Sequence, residues 1–138
     1  MAANFPETVR RAVKDLMADY SHNLDAMEDA EKVVSIFTPD AVIDFSAVNF
    51  PVMNGEDEIR GFFTGLFPAM AGQFHDMANF RPVSWDGEVA VVDTYVIGMG
   101  QPKEGELIHV QVRYRWECIE TDDGWKCRKF SLTPMMPA

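Results

Sequence analysis

From Val9 onward, apolar residues return at every third or fourth position: Val9, Val13, Leu16, Met17, Tyr20 and Leu24 form one stripe. That spacing predicts an amphipathic helix. Pro6 suits its first turn, because proline has a preset φ and no N–H to satisfy. Asp25-x-x-Glu28 has the spacing of a capping box and predicts the start of a second helix, with Met27, Ala30, Val34 and Phe37 as its buried face. Pro39 lies just beyond the expected end. Over 41–45, AVIDF, the pattern becomes that of a strand, and Asn54-Gly55 predicts a turn. A third helix follows, marked by Ile59, Phe62, Phe63, Leu66, Phe67 and Met70, the cleanest apolar stripe in the chain. Gly61 and Gly65 fall on its other side, each at a cost of about 1 kcal/mol in helix propensity. Either they admit a closely packed backbone or they have no packing role.

Beyond Gly72 the period is that of strands, expected at 74–85, 88–99, 106–120 and 125–133. Asp86-Gly87 and Asp123-Gly124 predict hairpins of the type I′ kind, and GMGQPKEGE joins the middle pair. The strand over 107–119 alternates sharply. Ile108, Val110, Val112, Tyr114, Trp116 and Cys118 share one face, and His109, Gln111, Arg113 and Arg115 the other. Alternation of this kind sends one set to the core and the other outward. The order of elements is therefore three helices, a first strand between the second and third, and a four-stranded antiparallel meander. This predicts an α+β fold, with helices on one face of a curved antiparallel sheet. A length of 138 residues suits one domain, 1–138.

Charge narrows the partners. With 22 acids against 12 bases the net charge is −10, which repels nucleic acid backbones and anionic membranes. Half of the bases, Lys103, Arg113, Arg115, Lys126, Arg128 and Lys129, lie in the last third. They are either a solvated strand face or a site for an anion or a neighbouring subunit. No apolar run approaches the roughly 20 residues of a membrane span. The opening MAANFPETVRR has no apolar core of a secretory signal, so a cytoplasmic location is expected. Cys118 and Cys127 flank the second hairpin turn on one sheet face. They are expected as free, buried thiols, although their opposition also permits a disulfide.

Asp25, at the junction of the first two helices, is open to two readings: a helix cap or a member of a catalytic pair. The set Tyr20-x4-Asp25, Phe37-Thr-Pro-Asp40-Ala41, Gly55-x3-Ile59-Arg60-x-Phe62-Phe63, His75-x3-Asn79 and Asp123-Gly124-Trp125-Lys126 resembles the nuclear-transport-factor-2-like superfamily, and within it the SnoaL-like branch. The resemblance covers nearly the whole chain. It implies a cone of curved sheet closed by helices around a pocket. Members include polyketide cyclases, dehydratases, a dehydrochlorinase and ketosteroid isomerase, together with proteins that catalyse nothing. Asp25 and His75 stand where the dehydratases and dehydrochlorinase pair an aspartate with a histidine.

Such a pair works because the carboxylate fixes the imidazole tautomer and stabilises the imidazolium that forms. The reading this supports is a small cofactor-independent lyase or isomerase for an apolar cyclic substrate. His75 is then the base, Asp25 its orienter, and Tyr20 a proton donor or a plain core residue. His75 itself reads otherwise as a satisfied core or rim histidine. Leu24, Phe45, Phe63, Val110 and Val112 are expected to line the pocket, with Asn79 and Tyr95 as further polar candidates. One departure weighs on the isomerase and scytalone-dehydratase mechanisms: Phe45 stands where those enzymes carry a base or a tyrosine. A second reading therefore stays open, a non-catalytic cone that binds an apolar ligand or serves as an assembly subunit. The family also implies a dimer or trimer formed through the outer sheet face. No metal is expected, because His22, His75 and His109 are scattered with no ligand spacing, and GMGQPKEG lacks the GK[ST] of a phosphate loop.

Overall fold

The stripe over 9–24 becomes the buried face of α1 (Glu7–Ala26), with Val13, Met17, Tyr20 and Leu24 all but sealed from solvent. A computed structural model describes residues 4–137. After α1 come α2 (Ala30–Val34), β1 (Phe37–Asp44), a 3₁₀ turn (Ser46–Val48), β2 (Val52–Asn54) and α3 (Glu56–Ala69). The remainder is β3 (Met70–Trp85), β4 (Val89–Pro102), β5 (Ile108–Thr121) and β6 (Gly124–Pro134). No helix among the described residues is long and apolar enough to cross a membrane.

The strands make one six-stranded sheet in the order β2-β1-β6-β5-β4-β3. The meander β3 to β6 is antiparallel as expected, whereas β1 joins β6 in parallel. The sheet is curved and does not close. Register shifts within β3–β4, β5–β6 and β1–β6 accompany the bend, since an extra residue in one strand increases local twist. Burial alternates along β4 and β5, so one sheet face meets the helices and the other meets solvent.

The expected capping box does not form. Asp25 is still helical, in the last turn of α1, and Met27 ends that helix in the left-handed region at φ 51°. The cap of α2 is Asp29, whose carboxylate accepts from the Glu31 N–H at 2.9 Å. The second helix is also shorter than expected, so Phe37 and Pro39 belong to β1. Pro39 is exposed and lies where the β1–β6 register slips, so no ladder bond needs its missing N–H. Gly61 and Gly65 face open space, which removes the close-packing reading. Both Asp-Gly hairpins form, but positive φ is confined to Gly87 (95°) and Gly124 (98°). Type I′ needs it at both central residues. Instead, the Asp86 carboxylate accepts from the N–H groups of Glu88 and Val89, and the Thr121 hydroxyl closes the second turn.

The core centres on Phe130. Its ring lies 4.6 Å from Tyr114, 5.0 Å from Phe45, 5.1 Å from Trp116 and 5.5 Å from Tyr20 between centroids. Each buried aromatic of this kind contributes about 1.5–3 kcal/mol through lost apolar surface. Cys118 and Cys127 are cross-strand partners in the same interior, as free thiols.

Candidate functional site

The cavity lies between the inner sheet face and the helices, with a free volume of about 100 Å³. Tyr20 and Leu24 of α1 form part of its wall. Phe45, Val48 and Phe50 come from the β1–β2 connection, Phe62, Phe63 and Leu66 from α3, and Ile108, Val110, Tyr114 and Leu132 from β5 and β6. Gln73 and His75 enter from β3, and Gly98 and Gly100 from β4. Nearly all of that wall is hydrocarbon.

Asp25 and His75 meet at its edge, 50 residues apart in sequence. The imidazole Nδ1 lies 2.6 Å from Asp25 Oδ1, and the His75 backbone N–H donates to Oδ2 at 2.9 Å. An ionised carboxylate can only accept, so this contact calls for a proton on Nδ1 and leaves Nε2 free of Asp25. The His75 side chain is 13% exposed and that of Asp25 24%. Two features of α1 hold the arrangement. Asp25 follows the last buried residue of the stripe, Leu24, and the Leu24 carbonyl accepts from Gln73 Nε2 at 3.2 Å. That bond ties an otherwise orphan carbonyl of the helix end to β3, two residues from His75.

Tyr20 is both core and wall. Its ring packs edge-on against Phe37, Trp116 and Phe130 while its side chain borders the cavity. Burial pushes its phenol well above the usual range, with Tyr114, Cys127 and Asp25 adding to the shift. The group is therefore a neutral donor at any ordinary pH.

Leu24, Phe45, Phe63 and Val110 also lie on the wall, whereas three of the expected residues do not. Val112 is buried in the core away from it. Asn79 sits at a β3 register shift with φ 55°, which breaks the strand alternation and turns it to a surface crevice beside Lys14 and Phe80. Tyr95 is on the outer face, 46% exposed, because β4 sends Thr94, Val96 and Gly98 inward. His109 also faces outward, against the Gln111 amide.

Sequence reasoning missed Gly98. It stands opposite His75 in the β3–β4 ladder, and a Cβ there would lie 3.3 Å from His75 Cδ2 and 3.1 Å from Val110 Cγ2. The absent side chain is the space the imidazole occupies. Tyr114 was placed on the inner face by alternation but given no role, although it lines the cavity. Among the described residues, no group of three or more His, Cys, Asp or Glu side chains could hold a metal ion.

The outer face carries its own apolar groove, of about 360 Å³, lined by residues that include Tyr95, Ile97, Met135 and Met136. Beside it the Arg115 guanidinium grips both oxygens of Asp93, at 2.8 and 2.9 Å.

The chain is similar to several solved structures. One, from Novosphingobium aromaticivorans and provisionally named an aromatic ring hydroxylase, is 36% identical, with a TM-score of 0.93 over 97% of this chain and 94% of that one. Another from the same organism, provisionally named a scytalone dehydratase, is 24% identical with a TM-score of 0.83, covering 94% and 85%. A hexachlorocyclohexane dehydrochlorinase from Novosphingobium barchaimii is 20% identical, with a TM-score of 0.78 over 94% and 88%. The last two likenesses speak for the fold alone. No curated protein is significantly similar to the chain. The profile of the SnoaL-like domain matches residues 8–131, so the chain belongs to the SnoaL-like domain family, within the NTF2-like superfamily.

Proposed function

We propose that this protein is a cofactor-independent lyase or isomerase that removes a proton from an apolar cyclic small molecule. The observation that carries the reading is the double grip of Asp25 on His75 beside a cavity that is otherwise almost wholly hydrocarbon. His75 Nε2 takes the proton. Asp25 holds the ring in the Nδ1–H tautomer and stabilises the imidazolium, an arrangement worth typically 10²–10⁴-fold in rate. Tyr20 hydrogen-bonds the leaving group or the atom that gains charge. The cavity wall suits a ring, and the 36%-identical relative is named for acting on an aromatic ring.

The test is a screen of dehydratable and enolisable cyclic compounds against the wild type and His75→Ala. Turnover that disappears in His75→Ala, with binding and fold retained, supports the reading; turnover that survives there rejects it.

A second reading, a non-catalytic binder of an apolar ligand or an assembly subunit, is favoured by Phe45. It is 8% exposed and gives the cavity hydrocarbon, with no group there to give or take a proton. Ligand binding without turnover of any compound in the screen selects it. In either case we propose a homodimer or homotrimer formed through the outer sheet face, supported by the exposed side chains of Phe74, Tyr95 and Ile97 there. Light scattering of the wild type and Ile97→Glu tests this, since the charge is expected to dissociate the oligomer. A cytoplasmic setting fits the two free thiols.

A further inference from the structure

Two inward positions of β4 carry no side chain, Gly98 and Gly100, and neither has the positive φ that would call for glycine. Glycine inside a strand weakens it and often marks a place where another group comes close. At Gly98 that group is the His75 ring. At Gly100 it is the end of Met70, whose Cε would stand 2.6 Å from a Cβ there. Gly100 faces Gln73 in the β3–β4 ladder, and Met70 reaches it from the level of Pro102. A register shift between Met70 and Gly72 makes this possible, because an extra residue in a strand re-aims the side chain beside it. Met70 stands an odd number of residues before Gln73 and His75, yet it borders the same cavity and is 6% exposed.

Close packing alone does not need this pairing. An alanine at 100 with a shorter residue at 70 would fill the same space with no mobile part. The chain instead keeps a trough in β4 and lays in it an unbranched side chain with three rotatable bonds. Moving that methyl aside costs little, whereas the trough beneath is fixed strand backbone. Gly98 and Gly100 are also two residues apart, about 7 Å along the strand. A ring whose reacting carbon lies at His75 therefore turns its far side toward Met70. The free volume of about 100 Å³ suits a single small ring, so a longer molecule has to enter the trough.

We propose that the trough above Gly100 is a substituent subsite stoppered by Met70. The ligand is then a ring bearing a short apolar chain on the side away from His75, and that chain displaces the Met70 methyl as it binds. The inference rests on the reading of this cavity as the substrate site. A bare ring leaves the stopper in place. A charged substituent is excluded, because the trough offers it only hydrocarbon, a thioether and backbone already paired in the ladder.

The experiment titrates benzene and n-propylbenzene into protein labelled with ¹³C at its methionine methyls, the Met70 signal being the one missing from Met70→Ala. The wild type is expected to bind propylbenzene about tenfold more tightly than benzene, the worth of roughly two buried methylenes. Propylbenzene should move the Met70 methyl signal, and benzene should leave it unmoved. Met70→Ala, with the trough already open, should widen the preference. Adding Gly100→Val to that variant fills the trough with a branch that cannot swing, and should abolish the preference while benzene still binds. Equal affinities in the wild type, a Met70 signal unmoved by propylbenzene, or a preference that survives Gly100→Val overturns the proposal. A wild type that takes up neither compound rejects the cavity as a ligand site, and the subsite with it. Should the subsite stand while the screen of cyclic compounds yields no turnover, only the acid–base reading fails.

Discussion

Asp25 holds His75 with both carboxylate oxygens: Oδ1 takes the ring Nδ1–H at 2.6 Å and Oδ2 takes the backbone N–H at 2.9 Å. One side chain thus fixes both the strand position and the ring tautomer. Asp25→Ala should therefore do two kinds of damage. It leaves a partly buried N–H unpaired, at a cost of about 1–3 kcal/mol, and it frees the ring. Denaturant melts should register the first effect. Turnover of any substrate found by screening should fall by about 10²-fold or more, since an orienting carboxylate supplies much of what general-base catalysis contributes.

Gly98 and Gly100 make a matched pair of tests. At Gly98 a methyl would press on His75 Cδ2 at 3.3 Å and on Val110 Cγ2 at 3.1 Å. At Gly100 it would meet only Met70 Cε, at 2.6 Å. The end of a methionine side chain swings aside cheaply, whereas the imidazole is held by Asp25. Gly98→Ala should lower activity far more than Gly100→Ala, with each variant losing no more than about 1–3 kcal/mol of stability. Equal activities would show that the ring has room to spare.

Asp29 and Asp25 separate capping from chemistry. Asp29 caps α2 and lies away from the cavity wall. Asp29→Ala should cost about 0.5–2 kcal/mol in stability and leave turnover unchanged. Loss of turnover at native stability would place α2 in the mechanism.

Tyr20 and Tyr114 set a limit at high pH. Burial is the first cause of the raised phenol in both, and the ordinary value is 10.0. In the folded state the protonated phenols persist above that pH, while in the unfolded chain they ionise. The stability they contribute is therefore complete below pH 10 and is lost as the pH rises from there toward the folded values. Melting temperatures between pH 8 and 11 should fall less steeply above pH 10 in the variant carrying both Tyr20→Phe and Tyr114→Phe. Parallel curves would contradict the burial of these hydroxyls.

The architecture was legible because periodicity switches cleanly, from the helical stripe ending at Leu24 to the alternation of 107–119. The inward set of that strand, Tyr114 and Trp116 included, followed from alternation alone. Of the two readings open for Asp25, the cap fails because Asp25-x-x-Glu28 and Asp29 compete for one short junction. The choice went to Asp29 because the chain stays helical through Ala26. Asn79 was out of reach for a different reason: a single register shift reverses every facing beyond it, and nothing local announces one. The pairing of Gly98 with His75 depends on the β3–β4 register, which no spacing within either strand reveals.

The most direct test of the account is the tautomer of His75, read from the ¹⁵N resonances of its ring in the wild type and in Asp25→Asn. A neutral ring protonated at Nδ1 alone is expected in the wild type, with a strongly downfield Nδ1–H proton that vanishes in the variant. A ring protonated at Nε2, or a tautomer mixture that ignores the substitution, would contradict it. Asp25 and His75 would then be neighbours without a shared function.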